Sequence, residues 1–385
     1  MNVKLIGIGA AGNKAAINAV ENKVIAIENV MLINSTLRDI PTDYKGLKIE
    51  YAGSYGGCGK ERNIAYDLAM KNLQDGVLPL DDFLCLNNDN KRAELVVIVT
   101  STEGGTGSGS SAIIGKYIQN ALGIQVHMFG FAGFQSDARG LKNTVEWFQE
   151  LEEDFAVECI ENSKFLAECR DNKIKAEKAA NVEFGKKLGI LMGNPIRNSS
   201  QNIDATDLLK MVTTKGFMFI ESTNFEKIKN RDQFESVVID MIDNSKSIDI
   251  ADITSTKKAV IININSASTD YISYEDIINE RYGDSYENYL HIQHEPDMPE
   301  FIAVIVAGVK MPVEEVQKIH SEYKARMNRI DRSNDSFFTA AQNLKLDDDA
   351  DLSLKNSKPT MSKADFFATM GKKKEVKKED KFSEY

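Results

Sequence analysis

The segment TEGGTGSGS, residues 102–110, constrains the fold of this chain more than any other stretch of its sequence. It lies between the apolar run LVVIVT and the run SAIIGKY, so it predicts a turn that leads from a buried strand into a helix. Its glycines let backbone N–H groups approach an anion closely, and the hydroxyls of Thr106 and Ser108 and the helix dipole add to that attraction. The segment therefore predicts a loop that binds a triphosphate, although a flexible surface turn is the alternative.

A second glycine turn opens the chain. Gly7, Gly9 and Gly12 form a G-x-G-x-x-G pattern between the apolar run VKLIGIG and the helix-like run NKAAINAVEN. That pattern is typical of dinucleotide-binding proteins, which place a pyrophosphate at the helix N-terminus. Those proteins also need a carboxylate for the ribose at the end of the second strand, where this sequence has Asn34. The dinucleotide fingerprint is therefore incomplete.

A Walker-type P-loop is not indicated. That motif needs a Ser or Thr directly after its Gly-Lys pair to hold magnesium, but Gly59-Lys60 is followed by Glu61 and Gly115-Lys116 by Tyr117. The sequence therefore disfavours Ras-like GTPases and P-loop ATPases.

Strand-like and helix-like runs alternate along the first half of the chain, including a strand over VIAIENVMLIN at 24–34. This alternation predicts a mainly parallel α/β sheet with helices on both faces. Residues 173–192 then predict one long helix, which the breakers in GNP at 193–195 end. The runs that follow predict a smaller mixed α/β unit, and the charged run after Pro312 predicts a long exposed helix. The composition beyond about Asn343 predicts a disordered tail.

Composition excludes several classes of protein. The chain of 385 residues is 42% hydrophobic, enough for a sizeable core, and its formal net charge of -11 argues against a body that coats nucleic acid. Its apolar runs are too short to span a bilayer and its N-terminus lacks a signal-peptide pattern, so we expect a cytoplasmic protein without a membrane partner. The four cysteines form no C-x-x-C pair, and His291 and His294 fall on opposite faces of a strand, so we expect no metal site made of protein side chains.

Several motifs together resemble one superfamily. EGGTGSGS resembles the GGGTG(S/T)G signature of tubulins and FtsZ, and GIGAAGN resembles the first loop of FtsZ. The strand end INST, the glycine loop YGGCGK at 55–60 and the segment FQSDAR at 134–139 follow in the order expected of these GTPases. The resemblance implies a tubulin/FtsZ-like α/β fold with a parallel-sheet nucleotide-binding domain. The implied parts are a GTP-binding domain at 1–172, a central helix at 173–197, an activation domain at 198–311 with a smaller mixed sheet, a C-terminal helix at 312–342 and a disordered tail at 343–385.

The same resemblance implies a site for GTP or GDP with Mg2+. On the phosphate side, the residues that it places around the nucleotide are Gly9, Ala10, Ala11, Asn13, Asn34, Gly57, Gly104, Gly105, Thr106, Gly107 and Ser108. Arg139 and Asn162 would face the sugar and base. Gln135 takes the place of a glutamate that bonds the ribose in FtsZ, and Asn181 of the central helix would select guanine. The preference for guanine over adenine follows from the resemblance alone.

The run NIDATD at 202–207 resembles the superfamily loop that enters the nucleotide pocket of the next subunit in a filament. Asn202, Asp204 and Asp207 are therefore the candidate catalytic residues. Carboxylates at positions i and i+3 lie on one helical face, where they can orient a water for attack on the γ-phosphate. In the alternative, Asp204 is only the N-cap of the helix ATDLLKMV.

Within the superfamily, the chain is most similar to the TubZ group of plasmid and phage partition proteins. This implies subunits that assemble head to tail with GTP and move DNA through a DNA-binding adaptor and centromeric DNA, which the Lys-rich C-terminal tail would bind. A lysine run in such a tail is equally typical of a solvated segment. Within MSKADFFATMG, Met361, Ala364, Phe367 and Ala368 are spaced for a helix that docks in a partner groove.

Three other functions stay open at this point. A divergent FtsZ of cell division would have a terminal peptide of acidic and apolar residues, which FFATMGKKKEVKKEDKFSEY does not resemble well. An NAD-dependent dehydrogenase would use only the first glycine turn and leave EGGTGSGS unexplained. A structural filament protein would bind nucleotide without hydrolysing it, and the presence of Asp204 and Asp207 argues against that function.

Overall fold

Apolar runs that alternate with amphipathic runs give the chain an α/β architecture. The computed structural model describes residues 1–85, 92–151, 154–197, 203–250, 253–265 and 272–343, with residues 331–343 described through their backbone alone. The strands of these residues are β1 (Val3–Ile8), β2 (Val30–Asn34), β3 (Leu47–Glu50), β4 (Leu95–Ser101), β5 (Gln125–Ala132), β6 (Ala156–Glu161), β7 (Gly216–Asn224), β8 (Ser255–Asn263), β9 (Ser285–Gln293) and β10 (Phe301–Val309). The helices are α1 (Gly9–Glu21), α2 (Arg62–Gln74), α3 (Leu80–Cys85), α4 (Thr106–Asn120), α5 (Ala138–Leu151), α6 (Lys173–Leu191), α7 (Ala205–Val212), α8 (Arg231–Asp243), α9 (Tyr274–Tyr282) and α10 (Val313–Asn343).

The described strands form one ten-stranded sheet in the order β3-β2-β1-β4-β5-β6-β7-β10-β8-β9. β10 runs antiparallel to its neighbours β7 and β8, and the other neighbouring pairs are parallel. The strand order reverses at β1 and β4, so their carboxyl ends flank the crevice where open α/β sheets bind ligands. The two glycine turns follow these two strands directly.

The two halves of the sheet meet at a narrow junction. β6 pairs with β7 only through Ala156 with Gly216 and Val157 with Phe217. Beyond that junction, β7, β10, β8 and β9 make the mixed part of the sheet, as the sequence predicts for the second half of the chain. The domain boundaries themselves stay a prediction.

Helices cover both faces of the sheet. On one face α1 and α6 pack together, with Ala16 and Phe184 fully buried in the same apolar cluster. On the other face α2, α4 and α5 contribute Ala69, Ile114 and Leu141 to a second cluster. The helices on both faces therefore pack against the strands that lead into the glycine turns.

Trp147 is the single tryptophan of the chain, and it lies between α5 and α4. Its side chain is fully buried, and its indole Nε1–H donates a hydrogen bond to Ser111 Oγ of α4 at 3.1 Å. The ring packs edge-on against Phe148 and lies so close to Gly130 that an added Cβ there would be 2.6 Å from the ring. Trp147 therefore couples α5 to the helix that begins at the second glycine turn.

A buried group of charges holds α6 against the sheet junction. Lys187 Nζ of α6 lies 2.7 Å from Glu158 Oε1 of β6, 3.4 Å from Glu221 Oε1 of β7 and 2.9 Å from Ser247 Oγ. Burial raises the pKa of Glu158 to about 7, while the adjacent ammonium opposes that rise. Burial alone would lower the pKa of Lys187, but the two carboxylates beside it raise it above its ordinary value. Removing one member would leave uncompensated buried charge.

The predicted element types are confirmed along most of the described chain. The strand predicted at 24–34 begins only at Val30, because residues 27–29 form a short 3-10 turn. β3 and α3 are short elements without a clear period, and the sequence did not predict them. The helix predicted from Pro312 begins one residue later, and the Pro312 carbonyl accepts from Val316 N at 3.0 Å.

Residues 1–330 form one compact unit, and a second unit begins at Asp331. Of that second unit the structure describes the end of α10, through Asn343. The predictions about the tail, including its partner contacts, lie outside the described residues. Among the residues described, no helix combines the length and apolar character needed to cross a bilayer.

Candidate nucleotide site

The two glycine turns meet at the switch point of the sheet. Gly9, at the start of α1, has φ +76°, and a Cβ added to it would lie 3.0 Å from the backbone N of Gly107. A Cβ on Gly107 would lie 2.8 Å from the carbonyl oxygen of Ile8 and 1.9 Å from Thr100 Oγ1. The N-termini of α1 and α4 therefore lie side by side, where their free N–H groups and dipoles attract an anion.

Close packing explains most of the glycines here. A Cβ on Gly12 would lie 2.2 Å from the Val99 carbonyl oxygen, and one on Gly109 would lie 2.4 Å from the Arg62 carbonyl oxygen. A Cβ on Gly105 would lie 2.8 Å from Lys60 Cα. Gly104 differs, since no heavy atom lies within 4 Å of its Cβ position. Among the glycines of the 102–110 turn, Gly104 is therefore the one whose Cβ position faces open space.

The hydroxyls that the sequence assigned to phosphate binding contact the protein itself in this structure. Thr106 Oγ1 lies 2.7 Å from Ser35 Oγ, which follows β2. Ser108 Oγ donates to the Gly104 carbonyl within the turn. Asn34, the last residue of β2, accepts from Ser35 N at 2.9 Å through Oδ1 and donates to Asp39 at 3.2 Å. Ser35 thus joins the site, although no role for it was predicted from the sequence.

Two buried asparagines leave an acceptor without a partner. Asn13 of α1 is fully buried and donates to the Ile33 carbonyl at 3.4 Å, yet its Oδ1 has no hydrogen-bond partner among the described residues. Asn162, just after β6, is also buried with an unpartnered Oδ1. Buried polar atoms without a partner are uncommon and mark places where a ligand or water completes the bonding. Both residues were site candidates from the sequence.

The loop at 55–60 is the third glycine segment at this edge. Gly56 and Gly57 have φ values of +90° and +141°, and no heavy atom lies within 4 Å of their Cβ positions. Tyr55 beside them is fully exposed. The loop is open toward solvent, and its far end is fixed where Asn143 Nδ2 donates to the Lys60 carbonyl at 3.0 Å.

The remaining candidates lie at the sides of the site. Gln135 has a left-handed backbone with φ +51°, and its N–H donates to Glu103 Oε1 at 2.8 Å. Arg139, at the start of α5, forms an ion pair with Glu61, the residue directly before α2. Asn181 lies half-buried on α6. Ala10 and Ala11 fall in the first turn of α1, next to Gly9.

The candidate catalytic residues lie on a different part of the molecule. Asp204 is the N-cap of α7, and its Oδ1 accepts from the Asp207 N–H at 2.8 Å. Asp204 is exposed and Asp207 half-buried. The N-cap interpretation is therefore correct for Asp204, and it leaves the second carboxylate oxygen open to a further role. Asn202 lies outside the described residues.

Contacts just after the C-terminal end of α6 show how far α7 lies from the glycine turns. Gly193, just after α6, lies against Leu208 of α7, with 2.9 Å from its Cβ position to Leu208 Cδ2. Asn194 donates to the carbonyl of Val24, which follows the C-terminal end of α1, at 3.3 Å. A helix of 13 residues such as α1 is about 20 Å long. One chain therefore does not bring its Asp204 and Asp207 to its own glycine turns, which lie at the opposite end of α1.

His127 of β5 connects α7 to the sheet, and we expect it to make stability pH-dependent. It is fully buried, its Nδ1–H donates to the Val212 carbonyl at 3.0 Å, and burial lowers its pKa to about 4. Because the unfolded chain binds a proton near pH 6.5 and the folded chain does not, stability is complete above that pH and declines as pH falls toward 4. This difference in pKa between the folded and the unfolded chain corresponds to about 3 kcal/mol in the free energy of unfolding.

Urea unfolding of the nucleotide-free protein from pH 4 to 7.5 would measure this effect. His127→Gln keeps a donor without the titration and leaves Glu158 in place, so the difference between the two proteins isolates the imidazole. Identical pH profiles for both proteins would contradict the prediction.

Comparison with known proteins identifies the fold. No protein-family model matches the sequence, and no curated protein matches it. Among solved structures, TubZ of Clostridium botulinum phage c-st is 14% identical with a TM-score of 0.66, covering 85% of this chain and 98% of that one. A GTPγS-form protofilament of Bacillus thuringiensis serovar israelensis TubZ is 16% identical with a TM-score of 0.72, covering 90% and 95%. The chain therefore has the tubulin/FtsZ-like fold.

Within that fold, the similarity extends beyond the TubZ structures. CetZ2 from Haloferax volcanii, solved as a GTPγS-bound protofilament, is 16% identical with a TM-score of 0.70, covering 86% of this chain and all of that one. The sequence prediction of a tubulin/FtsZ-like fold, with TubZ among its similar structures, is confirmed.

The described residues fit a nucleotide without a metal cage of their own. The closely packed glycines bring together two helix N-termini, whose first N–H groups have no partner within the helix, and the two buried asparagines have unpartnered oxygens. Among the described residues, no group of three or more His, Cys, Asp or Glu is arranged to hold a metal ion.

Proposed function

We propose that this chain is a GTPase that assembles head to tail into filaments and hydrolyses GTP at the interfaces between subunits. One observation carries the proposal. Two helix N-termini that would attract an anion lie side by side at one end of α1, and Asp204 and Asp207, at the start of α7, lie beyond its other end. A second copy stacked end to end would bring the α7 of one subunit onto the glycine turns of the next.

The chemistry follows from those groups. The N–H groups of both glycine turns would hold the phosphates and stabilise charge on the leaving group. Asp204 and Asp207 of the neighbouring subunit would orient a water for attack on the γ-phosphorus and accept its proton. Magnesium, held by the phosphates, would offset their negative charge. Asn13, Asn34, Gln135, Arg139, Asn162 and Asn181 would contact the ribose and base.

The biological role is the finer part of the proposal. By likeness to the TubZ structures, the filament would move plasmid or phage DNA in the cytoplasm of a prokaryotic cell, through an adaptor bound by the C-terminal tail. The CetZ likeness partly supports the alternative, a divergent FtsZ-like GTPase of cell division. Adaptor and centromeric DNA would co-sediment with filaments in the first case and stay in the supernatant in the second.

Phosphate release from GTP and from ATP, followed with light scattering over a range of protein concentrations, tests the activity. Turnover per subunit should be near zero below a threshold concentration and rise steeply above it, in parallel with scattering. GTP should be preferred over ATP. Turnover that does not depend on protein concentration would contradict catalysis at subunit interfaces, and turnover of neither nucleotide would contradict the enzyme assignment.

A further inference from the structure

Glu103 places a carboxylate inside a loop that is built to attract anions. It lies between Thr102, which directly follows β4, and the open Gly104. Its side chain turns away toward two other glycines. A Cβ on Gly133 would lie 2.2 Å from Glu103 Oε2, and one on Gly140 would lie 3.2 Å from its Cδ. The loop after β5 and the start of α5 therefore leave room for this one side chain.

The carboxylate has a specific partner there. Glu103 Oε1 accepts the Gln135 N–H at 2.8 Å. Gln135 has φ +51°, a left-handed conformation that costs free energy for a residue with a Cβ. The hydrogen bond to the Glu103 oxygen gives the Gln135 N–H a partner in this conformation and so offsets part of that cost. The shape of the 133–137 segment thus depends on Glu103.

The backbone of Glu103 is held by a second contact. Asn143 Nδ2 of α5 donates to the Glu103 carbonyl and to the Lys60 carbonyl, each at 3.0 Å. The Asn143 carbonyl in turn accepts from Arg62 Nη1 at 2.8 Å. Glu103 and Asn143 therefore connect three segments around the site: the turn at 102–110, the loop at 55–60 and the segment at 133–137.

Charge alone does not explain a carboxylate at this position. Burial raises the pKa of Glu103, while the Gln135 N–H and the ammonium groups of Lys60 and Lys173 oppose that rise. Lys60 is itself paired with Asp137, so it is shared between two carboxylates. A negative charge next to bound phosphates would weaken their binding. The benefit of Glu103 must come from the conformation that it sets.

We propose that Glu103 is a positioning residue that holds the 133–137 segment in the conformation from which it contacts the sugar of a bound guanine nucleotide. The inference rests on the proposed function. It predicts that the acceptor oxygen matters and the charge does not. Glu103→Gln, which keeps a carbonyl oxygen for the Gln135 N–H, should therefore behave as wild type, whereas Glu103→Ala should not.

Two measurements test the proposal on the full chain below its assembly threshold. The first is the dissociation rate of fluorescently labelled GDP, and the second is hydrogen exchange of the Gln135 amide without nucleotide. Glu103→Ala should release GDP about tenfold faster, the effect of losing one hydrogen bond and leaving its donor without a partner. It should also lose the protection of the Gln135 amide. Glu103→Gln should keep the protection and release GDP at a rate within about threefold of wild type. Glu226→Ala, which removes an exposed glutamate elsewhere, is the matched control.

The outcomes separate this inference from the proposed function. Unchanged release and protection in Glu103→Ala would overturn it, as would a Glu103→Gln protein as impaired as Glu103→Ala. If wild type binds labelled GDP and assembles with GTP, either result leaves the GTPase proposal standing. If wild type binds no labelled GDP, both proposals fail, and the exchange data alone still report whether Glu103 orders Gln135.

Discussion

Asp207→Asn protein should assemble with GTP as wild type does, while its rate of phosphate release should fall at least about a hundredfold. The substitution keeps the size of the side chain and removes the carboxylate that would orient and deprotonate water. Asp207 is half-buried in the first turn of α7, whose apolar residues hold it to the sheet, so the surface that meets the next subunit should keep its shape. Phosphate release and light scattering, measured on the same samples, test both halves of the prediction.

Asp204 needs a different comparison, because it also caps α7. Asn is as good an N-cap as Asp, whereas Ala costs about 1 kcal/mol at such a position. Asp204→Asn therefore removes the charge and keeps the cap, and its turnover should fall as far as that of Asp204→Ala. Asn230→Ala removes an equivalent cap, which accepts from Gln233 N at 3.0 Å at the start of α8, and should not change turnover. Full turnover in Asp204→Asn would mean that Asp204 is only a cap.

Gly107→Ala should remove nucleotide binding and lower stability by several kcal/mol, in contrast to Gly104→Ala in the same turn. The new methyl group would lie 1.9 Å from Thr100 Oγ1 and 2.8 Å from the Ile8 carbonyl oxygen, so one glycine turn would have to move away from the other. Overpacking against side chains costs about 1 to 3 kcal/mol, and backbone atoms yield less readily. Separating the turns would also disperse the N–H groups that attract phosphate.

Gly104→Ala is the control within the same loop. Its Cβ position has no heavy atom within 4 Å and its φ is not positive, so the melting temperature of the nucleotide-free protein should stay within a few degrees of wild type. Thermal unfolding and binding of labelled GDP by both variants would measure the contrast. Equal melting temperatures for the two variants would show that the turns do not pack as closely as described.

Much of this arrangement could be predicted from local sequence. The runs VKLIGIG and LVVIVT are apolar throughout because their strands are buried on both faces, and a glycine turn follows each of them. The sequence of α6 predicts its length because Gly193, with φ +78°, ends it. Local patterns of this kind predict these strands, the helices that follow them and the position of both glycine turns.

The contacts between segments could not be predicted in the same way. Ser35 and Thr106 are 71 residues apart, and Asn143 lies 40 residues from Glu103 and 83 from Lys60. No period or spacing in the sequence connects such pairs, since they meet only when the whole sheet has formed. Glu103 in particular looks like a departure from a glycine motif until the pocket formed by Gly133 and Gly140 is known. The ion pair of Arg139 with Glu61 is similarly a product of the folded chain.

The burial of Trp147 gives the protein an intrinsic optical probe. The chain has no other tryptophan, so all indole emission comes from one ring. That ring is fully shielded from solvent and bonded to Ser111, less than two helical turns from the start of α4. Any displacement of α4 on nucleotide binding should change the intensity or wavelength of that emission, so loading, exchange and assembly can be followed in unlabelled protein.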